Sequence, residues 1–309
     1  MIERFSAALA ALRFGEGRLG LAVSGGPDSL ALLLLAHALL PGRIAAATVD
    51  HGLRPESAGE AEHVARLCGG LDVPHATLAV VVDPGNVQSA ARAARYAALG
   101  DWIQREGIVA LATAHHADDQ AETLLMRLGR ASGVAGLAGV RARGTLPGTR
   151  LALLRPLLGF RRAELAAVVA AAGWQAVDDP SNRDDRFDRA RVRKALAGAD
   201  WLDVPALAVS AAHLGDADAA IDWAAAREWQ DCVVKAPLGL IYRPQAPRAV
   251  ALRVIARIVA ELDGEEPRGG AVARVFEALL AGQPASIGNL VARAGPDGLS
   301  FTKAPARRS

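Results

Sequence analysis

The strongest constraint on how this chain folds lies near its start. A short apolar run, Leu19-Gly20-Leu21-Ala22-Val23, stops at Ser24-Gly25-Gly26-Pro27-Asp28-Ser29 and resumes as a helical stretch from Ser29 to Leu40. Strand, glycine turn and helix open an α/β unit. The pattern then repeats. Ile44 to Val49, His75 to Val82 and Ile108 to Thr113 read as strands. Helical stretches follow them at Glu56 to Leu67, Gln88 to Glu106 and Asp118 to Leu128, and Ala61, Val64, Ala65 and Cys68 share one side. Strands apolar on both faces, alternating with helices, predict an α/β fold with a doubly wound parallel sheet.

The pattern changes further on. Glycine and proline cluster from Gly129 to Pro156, Arg161 to Ala172 is helical, and Asp178-Asp179-Pro180-Ser181-Asn182 is a turn-rich loop. Beyond about Trp201, Ala-rich helices (Pro205 to Trp229, Arg248 to Leu262, Ala271 to Leu280) surround short strand-like pieces. The expectation is a larger α/β domain over residues 1–200 and a smaller, mainly helical or α+β domain over 201–309. Lys303 to Ser309 reads as a basic tail.

Composition excludes several classes. With 51% hydrophobic and 22% charged residues, a largely disordered chain is ruled out. Two distant cysteines, Cys68 and Cys232, exclude a cysteine-only metal cluster and a disulfide framework, and read as reduced thiols. No stretch reaches the ~18 apolar residues of a membrane span. No export signal follows Met1, so a soluble cytoplasmic protein without a membrane partner is expected. Net charge is only +2, but Arg141 to Lys194 holds twelve basic and six acidic side chains, which is either an anion-binding face or a solvated mixed surface.

The glycine turn carries the first chemistry. Gly25 and Gly26 let backbone approach an anion, and the following helix offers unpaired N–H groups and partial positive charge. Ser24 and Ser29 add hydroxyls, with Pro27 between. Asp28 is out of place beside phosphates unless a divalent metal lies between them. No Walker loop is present, and the dinucleotide fingerprint is absent at this turn. The string resembles the signature of the PP-loop ATP pyrophosphatases, which adenylate a substrate and release pyrophosphate from ATP.

Two further strings end the second and fourth strands, Asp50 to Ser57 and Ala112 to Thr123. In a parallel sheet both project to the side of the glycine turn. Asp119 and Glu122 are three apart at a helix start and share a face. A capping arrangement and the binding of an ammonium or metal are both open to them, and the double histidine in front favours binding; Asp118 alone reads as a cap. With Gln88 to Tyr96, Arg130 to Gly133, Arg155 to Leu158, and Asp178 to Asn182 before Arg189, Arg191 and Arg193, these strings resemble the tRNA(Ile)-lysidine synthetases over roughly residues 19 to 195. Ala190 departs from the Asn often found there.

The resemblance implies a fold of the adenine nucleotide α-hydrolase-like type and a reaction of ATP, free L-lysine and a tRNA(Ile) with anticodon CAU. The wobble cytosine 2-oxygen attacks the α-phosphate, pyrophosphate leaves, and the lysine ε-amine displaces AMP. It further implies Ser24 to Ser29 for ATP, Asp28 for Mg2+, and Asp119 and Glu122 for an ammonium of lysine. Arg95, or Arg92, would pair with the lysine carboxylate. His115 is the candidate base, although a core histidine is as good a reading of it. Arg130, Arg155, Arg189, Arg191 and Arg193 are candidates for tRNA phosphates as a group. Relatives leave a homodimer open. A tRNA 2-thiolation enzyme, an amide-forming synthetase and a non-catalytic nucleotide-binding module are the rivals; the first would need a cysteine pair.

Overall fold

A computed structural model describes residues 1–52, 57–80, 87–177, 186 and 188–304. In chain order the elements are α1 (Ile2–Ala11), β1 (Leu19–Ala22), α2 (Pro27–Leu39), β2 (Ile44–Asp50), α3 (Ser57–Gly69), β3 (His75–Ala79), α4 (Val87–Arg105), β4 (Ala110–Ala112) and α5 (Ala117–Leu128). There follow α6 (Val134–Leu137), β5 (Arg143–Thr145), β6 (Ala152–Leu154), α7 (Arg162–Ala171), α8 (Asp188–Ala197) and α9 (Val204–Cys232). The last are β7 (Val233–Ala236), β8 (Gly239–Tyr242), α10 (Arg248–Asp263), α11 (Gly269–Leu280), β9 (Ala285–Ile287), β10 (Leu290–Gly295) and β11 (Gly298–Lys303). None of the helices is long and apolar enough to cross a membrane, among the described residues.

The chain divides into two compact units, Met1–Ser132 with Gly136–Ala212 and Gly133–Ala135 with His213–Ser309. The division at Ala212 falls inside the continuous helix α9 rather than at its start, where the composition changes.

The first unit is built on a six-stranded sheet in the order β3-β2-β1-β4-β6-β5. Every pairing is parallel except β5 with β6, so the sheet carries one antiparallel edge strand. Strand order reverses between β1 and β4, and a crevice at the carboxyl ends of such strands is where α/β sheets bind ligands. Leu19, Leu21 and Val23 point to one face, where Phe5, Leu30, Leu33, Val64, Cys68 and Leu165 cover them. On the opposite face Tyr96, Leu99, Trp102 and Ile103 of α4 pack on Ala45, Ala47 and Leu111. Small residues make that contact close: a Cβ on Gly20 would lie 3.0 Å from Trp102 Cζ3 and 3.2 Å from Ile108 Cγ2. Both faces are therefore dry, which is what a doubly wound parallel sheet requires.

Several boundaries move from the sequence expectation. The third strand ends at Ala79 rather than Val82, whose position lies outside the described residues, and the fourth spans only Ala110–Ala112. The glycine-rich stretch from Gly129 to Pro156 holds the β5–β6 pair. Leu53 to Glu56 and the Asp178 to Asn182 loop lie outside the described residues.

In the second unit the strand-like pieces are one antiparallel sheet, ordered β7-β8-β11-β10-β9. Alternation sets its register, with Leu240, Tyr242, Leu299, Phe301, Leu290 and Ala292 buried on one face. Val254, Ile255 and Ile258 of α10 and Val272, Phe276 and Leu279 of α11 complete that core. This region is therefore helical plus a full antiparallel sheet. Glu228 ties its edge together: its Oε1 accepts the Tyr242 hydroxyl (3.0 Å) and the backbone N–H groups of Gln245 (2.7 Å) and Ala246 (3.0 Å).

Candidate active site

The turn after β1 is built from its own hydrogen bonds. Ser29 Oγ donates to the Gly26 carbonyl (2.9 Å) and accepts the Ser24 N–H (3.1 Å), with Ser24 Oγ 3.3 Å away. The Ser29 hydroxyl thus staples the turn. Pro27, with its fixed φ, begins α2. Gly25 has φ +85°, where a side chain is strained, and its carbonyl accepts the Val177 N–H at 2.9 Å. The chain leaving α7 is stitched to the turn through that bond.

Asp28 stands in the first turn of α2. Its Oδ2 is 3.3 Å from His116 Nε2, while its buried Oδ1 has no hydrogen-bond partner. His116 is 2% exposed and precedes α5. Its Nδ1 is 3.6 Å from Asp118 Oδ2, and its Nε2 is 3.6 Å from Asp119 Oδ2. Burial alone would drive this imidazole down, but contact with Asp118 and Asp28 outweighs it and raises the pKa to about 9. The ring is an imidazolium at neutral pH, clasping α2 to α5. Asp118 in turn accepts the Arg162 N–H (2.8 Å) and the Arg161 Nε (3.2 Å). Burial pushes the Asp118 carboxyl up, yet His116 and those donors hold it well below the usual carboxylate range.

His115 is opposite in character. Its Nδ1 lies 3.0 Å from Thr113 Oγ1. Burial pushes its pKa down to about 4, with Asp119 opposing and Arg155, Arg189 and Arg95 assisting. It is neutral at pH 7. Asp119 accepts the His116 N–H through Oδ2 (3.1 Å), so it does cap the helix. It also faces a cleft of about 630 Å³.

That cleft gathers most of the residues singled out in the sequence. Ser24, Gly26, Pro27, Asp28 and Ser29 form its floor, with the carboxyl ends of β2 and β4 beside them. His115, Asp119, Arg92 and Arg95 line it, as do Arg189 and Arg193. Arg92 and Arg95 lie 4.9 and 5.3 Å from the Tyr96 ring centroid, which holds both guanidiniums at the wall.

Other residues are elsewhere. Gly25 turns away from the cleft, and a Cβ there would meet Val177 Cγ2 at 2.9 Å. Glu122 is buried at 1% exposure; its Oε1 accepts Arg193 Nε (2.7 Å) and its Oε2 lies 3.2 Å from Arg189 Nε. Arg155 is also buried, donates to the Arg141 carbonyl (2.5 Å) and is therefore not on a surface an RNA phosphate can reach. Arg130 and Arg191 are exposed and both pair with Asp188.

Sequence reasoning did not assign His116, Arg161 or Val177. The signal for His116 was present in a second histidine followed by two carboxylates; nothing in the order of residues pointed to Arg161 or Val177. Among the described residues no group of three or more His, Cys, Asp and Glu side chains is arranged to hold a metal. Asp28 Oδ1 is the carboxylate oxygen that, among the described residues, is buried without a hydrogen-bond partner. That donor set fits Mg2+, which takes one or two carboxylates and fills its octahedron with substrate phosphates and water.

The PP-loop domain family matches residues 1–199. A tRNA(Ile)-lysidine synthase of Novosphingobium aromaticivorans is 48% identical over 95% of this chain and 91% of its own length. One from Zymomonas mobilis is 40% identical over 95% of this chain and 90% of its own. Among solved structures, the U34-tRNA thiolase NcsA from Methanococcus maripaludis superposes with a TM-score of 0.55 at 16% identity, covering 68% of this chain and 76% of that one. This last likeness shows the fold alone.

Proposed function

The chain belongs to the PP-loop family and, within it, to the tRNA(Ile)-lysidine synthases, and from that premise we propose that the cleft at the ends of β1 and β4 is where its reaction occurs. The protein uses ATP to form lysidine at the wobble position of tRNA. The observation that carries the assignment of the cleft is that His116 Nε2 lies against both Asp28 and Asp119, which brings two carboxylates side by side into it. Asp28 stands at the phosphate turn with an unpartnered oxygen, and Asp119 stands at the wall three residues after His116.

In this reading the triphosphate lies on the turn from Ser24 to Ser29, where backbone N–H groups and the start of α2 favour negative charge. Asp28 is the residue that would hold Mg2+, which when bound supplies positive charge for the departing pyrophosphate. The cytosine 2-oxygen attacks the α-phosphorus and the bond to pyrophosphate breaks. The neutral ε-amine of free L-lysine then attacks the adenylated carbon and AMP leaves. Asp119 takes an ammonium of lysine, and Arg95, steadied on Tyr96 with Arg92 beside it, takes the carboxylate. His115 is already in the neutral form that a proton acceptor needs, and anionic substrates beside it raise its affinity for the proton. The buried, ionised His116 fixes Asp28 and Asp119 in one frame.

The tRNA reads as tRNA(Ile) with anticodon CAU, engaged through Arg189 and Arg193 at the cleft and through Arg130 and Arg191 outside it. The enzyme works in the cytoplasm with that RNA. Thiolation is disfavoured by Cys68, buried in the core with its thiol pushed up to about 11 by burial. The test is incubation with ATP, labelled lysine and bulk tRNA. Label enters RNA only with ATP, and pyrophosphate and AMP appear in equal amounts. Formation of ADP, or label independent of ATP, would overturn the reading.

A further inference from the structure

Glu122 is the acidic residue that the cleft does not use directly. It lies on α5 with essentially no solvent contact. Its carboxylate is held from one side by α8: Arg193 Nε at 2.7 Å and Nη2 at 3.3 Å form a two-point contact, and Arg189 Nε lies 3.2 Å from Oε2. Arg189 and Arg193 are four apart on α8 and so share a face. Arg189 also donates to Thr123 Oγ1 at 3.4 Å. Both guanidiniums reach the cleft wall, with side-chain exposures of 49% and 28%.

The charges around the cleft decide what such a wall can hold. Five guanidiniums (Arg92, Arg95, Arg162, Arg189 and Arg193) and three carboxylates (Asp28, Glu60 and Asp119) line it, with Glu122 buried behind. Asp119 and Asp28, like Glu122, act on Arg193. Positive charge still exceeds negative by one, and the excess lies on the arginine side, where an anion is attracted. An arginine fork presents its unused N–H groups in a plane that suits phosphate oxygens. We infer that Glu122 is a positioning residue that fixes Arg189 and Arg193 as a second phosphate-oxyanion seat, separate from the glycine turn. The seat takes either the phosphoryl group of the nucleotide as it transfers or a phosphodiester flanking the target base. This rests on the lysidine-forming reading for its ligands, and assigns the lysine ammonium to Asp119 alone.

The test compares wild type with Glu122→Gln, Glu122→Asp and Arg189→Gln by equilibrium titration with Mg-ATP and, separately, with tRNA at two salt concentrations. Glu122→Gln keeps the volume and loses the charge; Glu122→Asp does the reverse. The expected result is about tenfold weaker binding in one arm for Glu122→Gln and Arg189→Gln, with partial recovery in Glu122→Asp. Loss in the RNA arm, with a salt slope shallower by about one in Arg189→Gln, identifies the phosphodiester. Loss in the ATP arm with the RNA slope unchanged identifies the nucleotide. Recovery by Asp but not Gln separates a charge role from packing. If both affinities stay within about twofold of wild type in Arg189→Gln, the seat does not exist. Should Glu122→Gln fail to fold, the half-exposed Arg189 still decides the matter. The titrations need no turnover, so a wild type that puts no lysine into RNA would sink the lysidine reading and leave this comparison standing.

Discussion

Gly25 offers a sharp test of how the phosphate turn is held. Its φ of +85° costs an L-residue roughly 1–2 kcal/mol. A new Cβ would lie 2.9 Å from Val177 Cγ2 and 3.3 Å from Val64 Cγ2, an overpacking of about 1–2 kcal/mol. Gly25→Ala should therefore lose roughly 2–4 kcal/mol, which for a unit of about 200 residues lowers Tm by some 4–16 °C. Gly26→Ala is the control: its φ is −70° and the nearest side-chain atom is 3.8 Å away, so its Tm should stay within a degree or two. Adding Val177→Ala to Gly25→Ala should relieve the overpacking part and leave the backbone part. Thermal melts of the four proteins read this out, with nucleotide affinity beside them. Equal melting of Gly25→Ala and Gly26→Ala would refute the reasoning, because the stitch between the turn and Val177 would then carry no strain.

Asp119→Asn keeps an oxygen that can accept the His116 N–H, so it should fold as wild type while the KM for lysine rises at least about tenfold and the ATP–pyrophosphate exchange rate holds; an unchanged KM removes Asp119 from lysine binding. Glu228 gives a pH prediction. Burial alone would raise its pKa, but the N–H groups of Gln245 and Ala246 and the Tyr242 hydroxyl hold it below the ordinary value. Its stabilisation is present above the unfolded value near 4.3 and is lost as pH falls through the lower folded value. Denaturation of the second unit from pH 6 to 3 should thus be steeper in wild type than in Glu228→Gln, and equal slopes would refute it. Cys68 and Cys232 are buried with thiols pushed upward, so neither should react with a disulfide reagent at pH 8 until the chain unfolds; rapid native labelling of either would contradict their burial.

Local pattern made part of this molecule legible. The β1–turn–α2 unit, the alternation that follows and the double histidine at the end of β4 are all consecutive residues, so the cleft floor could be placed from order alone. What could not be read depends on partners far away in sequence. Glu122 looks like Asp119 on a helical wheel, yet Arg193, 71 residues on, takes its carboxylate. Arg155 looks like a surface cation until the packing around β6 buries it. Strands of three residues, as in β5, β6 and β9, are too short for a period to show among glycines. The antiparallel sheet of the second unit is a set of non-local pairings, and its pieces look like fragments until they meet.

Trp102 of α4 packs against the strand at Gly20, four residues before Ser24, and is 3% exposed. Trp201 and Trp223 are 79% and 63% exposed. Iodide therefore extinguishes the light of those outer indoles and leaves a blue-shifted signal to which this shielded ring contributes. The helix packed on the strand that ends in the phosphate turn thus carries an optical reporter of that packing, readable in the unlabelled protein.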